Sequence, residues 1–126
     1  MENFFNILIY LMGALFLLMG LQWLIDPTSA AAGLGMSLLS GHGLSTQIGD
    51  LASFFLVVGI FTLCAAVKKN KVWLYTPIAL LGFAAVSRLI AFVFHNAALS
   101  TDKILVELVL AGFLIFLVKR KENSFS

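Results

Sequence analysis

Four long apolar runs, at residues 4–25, 48–67, 72–94 and 104–118, leave this chain few ways to fold. Each approaches or exceeds the roughly 20 residues that carry an α-helix across about 30 Å of hydrocarbon, where an open sheet edge would strand its backbone polar groups. The last run is short. Begun at Thr101, with Lys119, Arg120 and Lys121 reaching back to the interface, it attains spanning length. The expected architecture is an all-α integral membrane protein, a single four-transmembrane-helix domain over residues 1–126. Its spans are expected at 4–25, 48–67, 72–94 and 101–120, with an outer loop at 26–47. Only 11% of the residues are charged, against about a quarter in soluble domains, so no segment is left for a soluble catalytic module.

The placement of charge sets the expected topology. Lys68, Lys69, Lys71, Lys119, Arg120 and Lys121, six of the eight basic residues, fall on one side of a four-span arrangement. Residues 26–47 contain neither lysine nor arginine, and the turn after Phe94 has Lys103 alone. The positive-inside rule then makes both termini cytoplasmic, in a membrane crossed several times. The basic cluster suits anionic lipid head groups; topology explains it without nucleic acid. Ala30-Ala31-Ala32 resembles a signal-cleavage site, but the run before it is too long for a signal peptide and is preceded by Glu2 rather than a cation. A retained first span is expected. The single cysteine, Cys64, excludes an internal disulfide and a paired-thiol redox motif.

Against this apolar background three charges stand out. Arg88 interrupts the third run, and an arginine at the centre of a membrane helix costs roughly 2.5–3.5 kcal/mol, so it faces inward with a partner. Asp50 and Glu107 are the acids within apolar segments. At 1.5 Å per residue, Arg88 lies about 9 Å below Phe94 and Glu107 about 9 Å below Thr101, so the charges gather in the outer third. Gln22, Ser53 and His95 are expected in the same region, with Gln47, Ser87 and His42 as further polar neighbours. Below them the chain is apolar apart from Cys64 and Thr62. A polar cup over a greasy floor is the result.

Local signals fill in the frame. Gly13 and Gly20, seven residues apart, mark a face where another helix approaches closely, and with Gly112 they are candidate contacts in a homo-oligomer. Asp26-Pro27 reads as an N-cap and first helical position for a short turn over 28–32 closed by Gly33. Trp23 is expected as an interface anchor. Ser45 or Thr46 is expected to cap the second span, which places Asp50 at the positive end of its dipole. Lys103 is one turn from Glu107 and within its reach.

Three functions fit these residues. In the first, Arg88 pairs an anionic group of a small amphipathic or lipid-like ligand, and Asp50 and Glu107 orient it. In the second, a proton- or ion-coupled transporter cycles a proton on Glu107, the deeper acid. In the third, the charges are a packing clasp in a structural subunit. No catalytic residue, metal site or cofactor is assigned: His42 and His95 lack metal-ligand spacing, and no GxSxG elbow accompanies Ser53 or Ser87. An amphiphile isomerase using Glu107 and Asp50 is chemically conceivable, and nothing singles it out.

Gly20-Leu21, Asp26-Pro27, Gly33-Leu34, Asp50-Leu51-Ala52-Ser53-Phe54-Phe55 with Gly59, Ser87-Arg88-Leu89 and Glu107-Leu108-Val109-Leu110-Ala111 resemble the landmarks of a small bacterial family of four-helix membrane proteins. That family is catalogued as a domain of unknown function and is loosely akin to DoxX-like proteins. The resemblance implies a four-helix bundle in a bacterial inner membrane and carries no catalytic assignment. Asp50, Arg88 and Glu107 coincide with its polar landmarks.

Overall fold

The structure, a computed structural model, describes residues 2–120. Its elements are α1 (Glu2–Ile25), α2 (Pro27–Gly33), α3 (Gly41–Lys68), a 3-10 turn (Lys71–Leu74), α4 (Tyr75–His95) and α5 (Thr101–Lys119). The described residues include no strand. Three stretches, Asn3–Ile25, Gly41–Lys68 and Lys71–His95, are long and apolar enough to cross a membrane. With 19 residues, α5 is set apart by Asp102, Lys103 and Glu107 in its first two turns.

The closest packing joins α1 to α3. A Cβ placed on Gly59 would stand 2.5 Å from the Leu17 amide nitrogen and 2.9 Å from the Gly13 carbonyl oxygen. The two backbones therefore touch, as small residues permit where dispersion rather than the hydrophobic effect holds helices together. Gly13 and Gly20 receive Leu63 and Leu56 of α3 respectively, so the seam expected from the sequence lies within the chain. Gly112 is different: a Cβ there would meet nothing within 4 Å.

Short turns fix the rest. Lys69 adopts a left-handed conformation at φ 52°, and Asn70 accepts a hydrogen bond from the Val72 amide at 3.0 Å, which reverses the chain between α3 and α4. Pro77 falls in the first turn of α4, where its missing N–H breaks no helical bond. Asn96, at φ 59°, ends α4 before the return into α5. Where α1 starts and α5 ends, Phe5 of α1 packs on Phe113 and Phe116 of α5, with ring centroids 6.1 and 5.9 Å apart. The Arg120 guanidinium covers Phe5 at 4.6 Å, and Lys71 Nζ donates to the Arg120 carbonyl, so α1, α5 and the 3-10 turn are tied together there. Lys121 lies outside the described residues.

Two expectations are corrected. Asp26 caps α2 as expected, accepting from the Ser29 amide at 3.4 Å, but α3 starts at Gly41, several residues before Ser45 and Thr46, so residues 26–47 are mostly helical. Only 34–40 links the two helices. The early start is held by Gln47, which is buried and strapped to that link. Its Oε1 accepts from the Leu39 amide at 2.9 Å, and its Nε2 donates to the Ser37 carbonyl at 3.1 Å. Asp50 is consequently well inside α3 rather than in its first turn, and the helix-dipole account of it falls. Trp23, in turn, is a core residue, 1% exposed within the cluster that includes Ala30 and Ala31 of α2. The short α2 folds back over α1, so the indole is covered by protein instead of lying at the interface.

Candidate functional site

Arg88 of α4 and Glu107 of α5 meet where antiparallel packing sets the two helices side by side. Arg88 Nε donates to Glu107 Oε1 at 3.0 Å and to Oε2 at 3.2 Å. Glu107 is 8% exposed, so the pair satisfies an acid that burial would otherwise penalise heavily. The pairing uses Nε alone. The terminal nitrogens of the guanidinium make no hydrogen bond among the described residues, and the remaining donors of the fork stay available. Lys103, expected to reach Glu107, instead stands 3.8 Å from Asp102.

The pair borders a cavity of about 480 Å³ toward the end of the bundle where α4 ends and α5 begins. Its charged end is formed by Arg88, Asp102, Lys103 and Glu107, beneath Gly33 and Leu34 at the end of α2. The remaining wall is apolar and drawn from every long helix: Leu15, Phe16 and Met19 of α1, Leu51, Phe54 and Phe55 of α3, Leu81 and Ala84 of α4, Val106 and Leu110 of α5. Phe16 and Phe55 stack at 5.9 Å in the back of it. Pockets of roughly 300–1,000 Å³ with apolar walls and a few convergent polar groups are the usual shape of small-ligand sites.

The other expected site residues do not reach this cavity. Asp50 is exposed on α3, 18 residues before Lys68 and so about 27 Å from the C-terminal end of that helix. Ser53 is exposed as well, and its hydroxyl donates to its own helix at the Gly49 carbonyl, 2.6 Å away. Gln22 and His95 are exposed and border no part of the cavity, although seven residues separate His95 from Arg88. His95 is the last residue of α4, about 10.5 Å along the axis from Arg88, so it lies past the cavity despite sharing nearly the same helix face. Lys103, in contrast, was legible through its four-residue step to Glu107, which shares a helix face, whereas Asp102, five residues from Glu107, carried no such signal. Among the described residues no three His, Cys, Asp or Glu side chains converge as metal ligands.

Chemically, this arrangement offers cationic N–H donors at one end of an apolar chamber. One Arg88 N–H is shared between both Glu107 oxygens, and the unused guanidinium N–H groups and the Lys103 ammonium are the donors at the head of the cavity. Compared with known proteins, the chain matches no family model, no curated protein and no solved structure.

Proposed function

We propose that the chain is a four-span inner-membrane protein, with cytoplasmic termini, that binds a small amphipathic, lipid-like ligand in the outer third of its bundle without catalysing a reaction. The observation that carries this reading is the Arg88–Glu107 pair at the head of an otherwise apolar cavity of about 480 Å³. A clasp needs no chamber beside it. Support for α5 as the fourth span comes from its length, about 28 Å at 1.5 Å per residue, and from its exposed Leu105, Val106, Leu108, Val109, Ile115 and Phe116. Those side chains suit lipid and not water. The bond from Lys71 to the Arg120 carbonyl draws two of the basic segments to one end, which supports a single cytoplasmic face. The likeness to DoxX-like proteins in the landmarks quoted above fits a bacterial setting.

The transporter reading is less well served. Below the cavity, Leu74, Leu114 and Leu117 are almost completely buried and Phe5 seals α1 against α5, so the space is better suited to a blind pocket than to a path.

The test is native mass spectrometry of the purified protein with hexadecanoate and, as a charge control, hexadecyltrimethylammonium. One hexadecanoate per chain is expected, with binding weakened about tenfold or more in Arg88→Gln, the loss of a charge-assisted hydrogen bond. Equal binding of both head groups, or no change in Arg88→Gln, counts against the reading.

A further inference from the structure

Resting on the binding reading above, we infer that the cavity admits its ligand sideways, through the outer half of the seam between α1 and α5, and that the occupant is a single-chain anionic amphiphile taken from the lipid phase. The first observation is exposure. Leu15 of α1 and Val106 of α5 both line the cavity, yet they are 57% and 56% exposed, whereas Phe16, Phe55 and Leu81 behind them are buried. A residue that borders a cavity and is also half exposed marks its mouth. This mouth lies on the flank of the bundle: Leu15 is ten residues below the outer end of α1, about 15 Å, and Val106 five residues below the start of α5, about 7.5 Å.

The second observation is that the same seam is shut further in. Phe5 against Phe113 and Phe116, roofed by Arg120, closes α1 onto α5 at the cytoplasmic end. One seam is therefore zipped at the bottom and parted at the top, which gives a lateral opening facing hydrocarbon. A molecule arriving that way carries an apolar tail through hydrocarbon while its polar head stays toward the charged end of the cavity.

Charge and size select the occupant. Arg88 and Glu107 cancel, and Lys103 has only a loose partner in Asp102, whose side chain is 81% exposed. The head-group end thus presents unused guanidinium and ammonium donors, while each of its carboxylates is already set against a cation, which favours a carboxylate or phosphate head over an ammonium. A volume of about 480 Å³, toward the lower part of the range for small-ligand pockets, suits one acyl chain better than the two of a diacyl lipid.

The experiment uses the full chain in nanodiscs with Cys64→Ser, Leu15→Cys and Val106→Cys, joined across the seam by a reversible bis-methanethiosulfonate linker, with hexadecanoate as probe. Association is expected to slow at least tenfold when linked and to recover on reduction. An unchanged rate in the linked protein, or displacement of hexadecanoate by a diacyl phosphatidate at equal concentration, overturns the inference while leaving the pocket in place. If the reduced protein binds no hexadecanoate, the binding reading itself fails and the inference falls with it. Val106→Trp, which narrows the mouth without a linker, serves as the second variant; slower association supports the portal, and an unaltered rate refutes it.

Discussion

Glu107→Leu is expected to lower unfolding stability by about 3 kcal/mol, the lower end of the range for breaking a buried ion pair on one side, measured by SDS titration in mixed micelles. The loss arises from Arg88, left with its charge at membrane depth and nothing to pair it. Its side chain is 35% exposed toward the cavity, so some of the penalty is relieved by water and by movement, which places the effect at the low end. The double variant Arg88→Met with Glu107→Leu removes both charges and is expected to regain most of the lost stability, since well-packed apolar replacements of buried pairs are often neutral. Hexadecanoate binding does not return with it. A pair that served packing alone would behave otherwise, with the double variant restored in every respect. The cycle therefore separates what Arg88 does for the fold from what it does for a ligand.

The second large effect is expected at Gly59. An alanine there places its methyl within 2.5 Å of the Leu17 nitrogen and 2.9 Å of the Gly13 oxygen, and backbone atoms cannot rotate away. α1 and α3 must separate along their whole contact. Overpacking of this kind costs about 1–3 kcal/mol, and here it also loosens Phe16 and Phe55, which form the back of the cavity. Gly112→Ala is the matched control. Open space surrounds its Cβ position, and replacing a helical glycine by alanine gains about 0.5–1 kcal/mol. Similar thermal midpoints for the two variants would contradict the α1–α3 contact as described.

Much of this was readable from residue order alone, and the division has a physical basis. Arg88 and Glu107 could be placed at one depth because a charge in an apolar run has a high energy unless paired, and because helix rise converts residue number into depth. Gly13 and Gly20 announced a close seam for a comparable reason, since the absence of a side chain is a local property. Trp23 was misplaced because α2 folds back over α1, and Asp50 and Gln47 because their surroundings depend on where α3 begins. That boundary is set by Gln47 holding the 34–40 link, a contact between residues eight and ten positions apart which no local propensity encodes. Leu15 and Val106 gave no sign either. In helices apolar all round, a residue at a portal and one facing bulk lipid have the same sequence signature.

His95, Gln22 and Ser53 illustrate a further limit. Being polar and at roughly the correct depth does not orient a side chain, and a change of a hundred degrees around the helix axis, the step of a single residue, decides between cavity and exterior. Arg88 escapes this ambiguity because its energetic need for Glu107 fixes its direction.

The most direct measurement is photolabelling with hexadecanoate bearing a diazirine at mid-chain, followed by peptide mapping of the cross-linked protein in nanodiscs. Adducts concentrated on Leu15, Met19, Phe54 and Leu110, competed by unlabelled hexadecanoate and lost in Arg88→Gln, are the expected result. Adducts spread over exposed positions outside the cavity, such as Phe83 and Val93, without competition would contradict a ligand held in this cavity.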